Sequence, residues 1–298
     1  MDFLAALAAS RNAFLDGFFS LMTKFGEETF AIVLICAVFW CVDKKLGYGI
    51  GISFFFTGLL VQGLKILFRV DRPWIRNPDF KPVESAMLSA TGYSFPSGHT
   101  QSATAIFMTW GLRVRHNMLK ILLFLLPVMV GFSRMYLGVH TPQDVIVSFL
   151  LTAAISAVVA LVLMEHENKA FEHGTAIVIA LSSIFLMGLA AIMNGSGRID
   201  SIYLIDSFKI AGSGLGFAIG FFVERNWIRF SVKAEKWVYQ PVKLALGVGG
   251  LLALKSGLKI LMGESASAGA IRYAILIIWA LIVWPLIFKR FIPHRCSR

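Results

Sequence analysis

Apolar residues run through this chain in long blocks, without the alternation of a half-buried strand or the one-sided stripe of a soluble helix. Nine blocks fall roughly at 27 to 42, 47 to 68, 98 to 113, 119 to 137, 143 to 164, 174 to 194, 204 to 223, 242 to 262 and 270 to 288. Each is close to the roughly 17 to 25 residues that cross a ~30 Å hydrocarbon core. The pattern predicts an all-α fold, a polytopic integral membrane helix bundle of about nine transmembrane helices. Nine crossings would put the termini on opposite sides. Residues 1 to 22 mix apolar positions with Asp2, Arg11 and Asp16 and lack the basic opening of a signal peptide. An amphipathic helix lying in the interface is expected there.

Composition supports the same solvent. With 57% hydrophobic and only 15% charged residues and a mean hydropathy of +0.74, the chain is too apolar for a soluble domain. The formal charge of +11 would suggest nucleic acid in a soluble protein, but 14 of the 28 Lys and Arg residues lie around Lys44, in 113 to 120, at Lys169, in 225 to 236 and in the tail from Lys289. Basic connectors mark the cytoplasmic side, so the charge implies no nucleic-acid partner. It also puts the loops 69 to 97 and 134 to 142 on the non-cytoplasmic face. Cys36, Cys41 and Cys296 show neither metal-ligand spacing nor a disulfide framework.

Those two loops hold the unusual polar residues. KILFRVDRP carries Lys65 and, after six intervening residues, Arg72 and Pro73; YSFPSGHTQ carries Ser97, Gly98 and His99; SRMYLGVHTPQD carries Ser133, Arg134, His140 and Asp144. Three cations, two imidazoles and a carboxylate at helix ends form the inventory of a phosphate site with its own acid and nucleophile. Thr141 and Pro142 read as N-cap and first helical residue, which puts Asp144 in the first turn within reach of His140. A carboxylate on one ring nitrogen fixes the tautomer and leaves the other nitrogen basic. Ser97 is placed to cap the next helix, where Gly98 lets a backbone N–H approach an anion and His99 stands ready to protonate a leaving oxygen.

The pattern K-x6-RP, PSGH, SR-x5-H-x3-D resembles the three-part signature of the type 2 phosphatidic acid phosphatase family, intact and in order over residues 65 to 144. The resemblance covers roughly the second to fifth predicted spans and leaves the last four unexplained. It implies a metal-independent phosphatase without a cofactor. On this analogy His140 attacks phosphorus, Asp144 orients it, Lys65, Arg72, Arg134, Ser97 and Gly98 hold the phosphoryl oxygens, and His99 protonates the departing alkoxide. Expected domains are an N-terminal amphipathic segment (1 to 26), a catalytic core (27 to 170) and additional transmembrane helices (171 to 298). A phosphotransferase, or a lipid carrier or channel that uses the cations only for binding, would share these residues.

A site at span ends suits a lipid or polyprenyl phosphate whose head reaches the surface while its tail stays among the membrane lipids. Trp74, Phe80, Tyr93 and Phe95 would line or anchor the loop beside it. Elsewhere, Asp206 and Lys209 are spaced to pair on one helix face. Lys255 and Lys259 would meet acidic groups or a lipid head. Gly212, Gly214, Gly216 and Gly220 fit close helix packing. The pattern carries no signal for an oligomeric state.

Overall fold

The computed structural model describes residues 2–88, 90–165, 168–233 and 236–291. Among them every regular element is helical. The helices are α1 Asp2–Ala9, α2 Ala13–Lys24, α3 Glu28–Ala37, α4 Lys44–Phe68, α5 Pro73–Arg76, α6 Glu84–Met87, α7 Gly98–Arg113, α8 Asn117–Tyr136, α9 Pro142–Val158, α10 Lys169–Gly195, α11 Ser201–Val223, α12 Tyr239–Met262, α13 Ala266–Ile278 and α14 Trp284–Phe291. π-helical turns follow α3, α9 and α11 and join α13 to α14.

Among the described residues, seven helical stretches are long and apolar enough to cross a membrane, or eight if the pair α2 and α3, bent by 50°, counts as one broken span. The chain is therefore a multi-span membrane protein. The expected number, nine, is not reached, because the block at 98 to 113 forms a helix of only 16 residues. At 1.5 Å per residue α7 is about 24 Å long, and its buried side chains include Thr100, Gln101, Ser102, Thr104 and Thr109. The N-terminal segment is two helices in place of one. Asn12 caps α2 by accepting from Leu15 N at 3.0 Å, and Phe19 and Thr23 of α2 are buried.

The chain divides into two compact units. The first joins residues 1–32 to 60–162. In it α7 packs on α8 and α9, and α1 and α2 pack on α8. Phe19 lies 4.3 Å from the Tyr136 ring and 5.4 Å from Phe132, in an apolar cluster with Ala86, Ala90, Leu137 and Val139. The second unit joins 33–59 to 163–298. Its α11 lies against α13 along the predicted glycine row: a Cβ on Gly216 or Gly220 would fall 2.7 Å from Ala274 O or 2.6 Å from Leu281 Cβ. The absence of side chains lets the two backbones approach where lipid supplies no hydrophobic drive to hold them together. The Glu224 carboxylate at the end of α11 is fully buried and satisfied by Lys44 Nζ at 2.8 Å, Phe230 N at 3.1 Å and the Tyr48 hydroxyl.

Candidate active site

All the signature residues lie in the first unit. Thr141 caps α9: its hydroxyl accepts from Asp144 N at 3.4 Å, and the Asp144 carboxylate accepts from Thr141 N at 2.7 Å. This reciprocal box sets Asp144 rigidly in the first turn, with Pro142 supplying the preset φ of the first helical position. The same carboxylate oxygen, Oδ2, stands 3.4 Å from His140 Nδ1 and accepts a 2.6 Å hydrogen bond from Ser94 Oγ. Both His140 and Asp144 are almost wholly buried, at 1% and 2% exposure. The Asp144 side favours the tautomer with hydrogen on Nδ1, which leaves the Nε2 lone pair to face the Arg72 guanidinium, 2.9 Å away at Nη1. Burial first, and then the charges of Arg72, Arg134 and Lys65, hold the His140 imidazole well below its ordinary pKa of 6.5.

Two of the three cations are held by backbone carbonyls and the third by a threonine hydroxyl. Arg72 donates to the carbonyls of Gly92 (3.0 Å), Thr91 (2.7 Å) and Val139 (2.9 Å), which ties the PSGH loop to the turn before α9. Lys65, at the end of α4, reaches Tyr93 O at 2.5 Å. Arg134 is fully buried and donates from Nη1 to Thr23 Oγ1 at 2.8 Å. Its own carbonyl accepts from Val139 N and His140 N at 3.1 and 3.3 Å, so the arginine and the histidine share one turn.

Ser97 caps α7 as its sequence position predicts, accepting from Thr100 N at 3.4 Å. It is bound to the other motif through its backbone: Ser97 N donates to Asp144 O at 3.0 Å, and Ser148 Oγ donates to Ser97 O at 2.7 Å. A Cβ on Gly98 would meet nothing within 4 Å, so open space lies beside a helix N-terminus, the setting in which backbone N–H groups receive an anion. His99 Nε2 is buried with no hydrogen-bond partner among the described residues. Ser133 is occupied inside its own helix, donating to Val130 O at 2.7 Å.

Three contributors have no place in the fixed pattern. Ser94 bonds Asp144, Thr23 bonds Arg134, and Gly26 lies so close to α7 that a Cβ there would fall 2.6 Å from His99 O. The loop aromatics divide: Phe80 is buried, with Arg11 lying over its ring at 5.6 Å, while Phe95 meets Phe68 edge to face at 5.3 Å. Among the described residues no group of three or more His, Cys, Asp or Glu side chains is arranged to hold a metal ion. Cys296 lies outside the described residues.

The family model described as PAP2 superfamily matches residues 45–168, and the model described as PAP2 superfamily phosphatase, transmembrane extension, matches 208–295. The chain is 30% identical over 227 residues to sphingosine-1-phosphate phosphatase 1 of Rattus norvegicus, which covers 72% of this chain and 50% of that protein. It therefore spans about half the length of the sphingosine-1-phosphate phosphatases it matches. It is 32% identical over 150 residues to an undecaprenyl-diphosphatase of Sulfolobus acidocaldarius, covering 48% of this chain and 68% of the relative. A solved structure described as the first transmembrane PAP2 type phosphatidylglycerolphosphate phosphatase, from Bacillus subtilis, is similar over 56% of this chain and 86% of its own, at 26% identity and a TM-score of 0.48. These relatives are membrane lipid phosphatases in name. With the three motifs of the signature gathered in one helical unit and two-thirds of a relative matched at 32% identity, the chain belongs to the PAP2, or type 2 phosphatidic acid phosphatase, superfamily.

Proposed function

We propose that this protein hydrolyses a phosphomonoester or diphosphate of a lipid or polyprenyl substrate through a phosphohistidine on His140. The observation that carries this reading is the buried line Asp144, His140, Arg72: one ring nitrogen faces a carboxylate at 3.4 Å and the other a guanidinium at 2.9 Å. An imidazole kept neutral and aimed into a cluster of cations suits attack on a phosphate those cations hold. Nε2 attacks phosphorus and the bond to the leaving oxygen breaks; His99, held well below its ordinary pKa by burial and the neighbouring cations, takes up a proton when the negative phosphate lies beside it and passes that proton to the leaving oxygen. Water then attacks the phosphorus of the phosphoenzyme, His99 takes the water's proton, and inorganic phosphate leaves with His140 restored. Lys65, Arg72 and Arg134, with Ser97 Oγ and the Gly98 N–H, bind the phosphoryl oxygens. Phosphoryl transfer asks for positioning and charge neutralisation above all, and this donor set supplies both without metal ligands.

The catalytic core is taken as residues 27–170, braced by Thr23 and Gly26 of the segment 1–26, with 171–298 as an addition. The basic connectors favour a multi-pass protein of the cell membrane with its site on the non-cytoplasmic face. Sphingoid, glycerolipid and polyprenyl phosphates are all of the right chemical class. A panel of these, assayed for phosphate release with purified wild type and His140→Ala, tests the reading: release from at least one, abolished in the variant, supports it. Transfer of the phosphoryl group to an added alcohol in preference to water would make the protein a phosphotransferase.

A further inference from the structure

The second unit holds a buried cation with an unpartnered donor, Nη1 of Arg272. Arg272 lies on α13, the seventh residue of a membrane-spanning stretch, and is only 6% exposed. Its Nη1 is buried, and it makes no hydrogen bond or ion pair among the described residues. A guanidinium at a span end ordinarily extends to water or to bulk lipid heads. This one is covered by protein. Buried charges in membrane proteins are paired, and an isolated one marks a binding site by default.

The neighbouring groups indicate what is missing. A helical side chain leans back over the turn before its own Cα, so Arg272 lies over the face of α13 that carries Gly269. That face is covered from α11 by Lys209, whose Cγ would stand 3.2 Å from a Cβ on Gly269. Lys209 spends one of its three donors on Asp206, at 3.0 Å, and keeps 30% exposure. Glu264, in the loop before α13, is engaged by Lys259 at 2.7 Å. Its pKa is lowered by that hydrogen bond first, and by the charges of Arg272 and Lys209 as well. Lys209, Lys259 and Arg272 against Asp206 and Glu264 leave one formal positive charge, and each carboxylate already has a lysine.

We propose that Arg272 and Lys209 form an anion site in the transmembrane extension, built for a singly charged phosphodiester at the head of a membrane phospholipid. The planar fork of Arg272 takes two phosphate oxygens while Lys209 adds a point charge. One negative charge completes the local balance, whereas a phosphomonoester dianion exceeds it. Depth agrees: six residues below the start of α13 is about 9 Å along the helix axis.

The full chain, purified in mild detergent and stripped of lipid, is titrated with dioleoylphosphatidylglycerol, dioleoylphosphatidylcholine or inorganic phosphate, and bound molecules are counted by native mass spectrometry. Wild type is expected to hold one phosphatidylglycerol that Arg272→Gln binds about tenfold more weakly, the loss expected for a charge-assisted pair, with no comparable effect on phosphatidylcholine. Phosphate binding with the same dependence on Arg272 would support the anion site and assign it to the free ion. Lys209→Gln, at a partly exposed position, gives the same comparison with a smaller shift and decides the matter if Arg272→Gln does not fold. Phosphatidylglycerol and phosphate binding unchanged in both variants, or in Lys209→Gln where it alone folds, would overturn the proposal.

Discussion

Thr23 Oγ1 accepts a 2.8 Å hydrogen bond from Arg134 Nη1, with both side chains buried. The contact ties the second helix of the chain to a cation of the signature 111 residues later. Thr23 is in this reading a positioning residue: it sets the guanidinium that grips phosphate. Thr23→Val keeps shape and removes the acceptor, which for a buried donor costs ~1–3 kcal/mol. We expect kcat/KM for a lipid phosphate to fall about 10- to 100-fold, with Thr23→Ser close to wild type. A purely structural role would lower the melting temperature of Thr23→Val without this split between Val and Ser in the kinetics.

Gly26 presses on the same centre from behind. A Cβ at this position would fall 2.6 Å from His99 O, 2.9 Å from Val130 Cγ1 and 3.0 Å from His99 Cβ. Since His99 O belongs to a helix backbone, α7 must shift to accept it. Gly26→Ala is therefore expected to cut turnover at least tenfold, because small misplacements of a catalytic group cost about 10²-fold. Gly188, where a Cβ meets nothing within 4 Å, is the control: Gly188→Ala should leave activity unchanged.

Much of this site was legible in the sequence. The box at Thr141, Pro142 and Asp144 follows from cap preferences and spacing, and so does the cap at Ser97. The glycine row on α11 and the pair Asp206 and Lys209, at 3.0 Å, also form as the spacing predicts. Ser94, Thr23 and Gly26 were not legible. Each acts through a tertiary contact: Ser94 meets Asp144 50 residues on, and Thr23 lies outside the signature altogether. Seven or eight stretches among the described residues are long and apolar enough to span where nine were expected, because an apolar block says nothing of where a helix ends. Residues 98 to 113 read as a span, yet the buried hydroxyls of α7 face protein, and the helix stops at Arg113.

The pH profile follows from the surroundings of His140. Burial, then Arg72, Arg134 and Lys65, lower its pKa below 6.5, so the neutral nucleophile persists in acid. The acid limb of kcat/KM set by His140 should therefore lie below pH 6.5. Replacing Lys65 by Gln removes one of the cations and should move that limb upward. The sign for stability is the same. The unfolded chain takes up a proton near pH 6.5 that the folded protein refuses until lower pH, so stability is full above 6.5 and declines as pH falls below it. His140→Gln should flatten that decline in a thermal-melt series.

His99 separates from His140 by leaving group. An alkoxide needs a proton and a nitrophenolate does not. His99→Ala should lower kcat for an alkyl lipid monophosphate by ~10²- to 10⁴-fold, the range for loss of a general acid, and for an aryl phosphate much less. Measurements at saturating substrate keep weakened phosphate binding out of the comparison. Equal losses on the two substrates would leave His99 as a phosphate-binding group.

The phosphoenzyme itself is the most direct test. Wild type is mixed with a ³²P-labelled lipid phosphate that it hydrolyses, quenched in alkali within the first turnover, digested and mapped. A phosphohistidine is stable to alkali and labile to acid, unlike a phosphoserine. The expected result is alkali-stable label on the peptide carrying His140, absent from His140→Ala and longer-lived in His99→Ala, which lacks the group that activates water. Steady hydrolysis by His140→Ala, or turnover by wild type with no labelled protein at any quench time, would contradict covalent catalysis at His140.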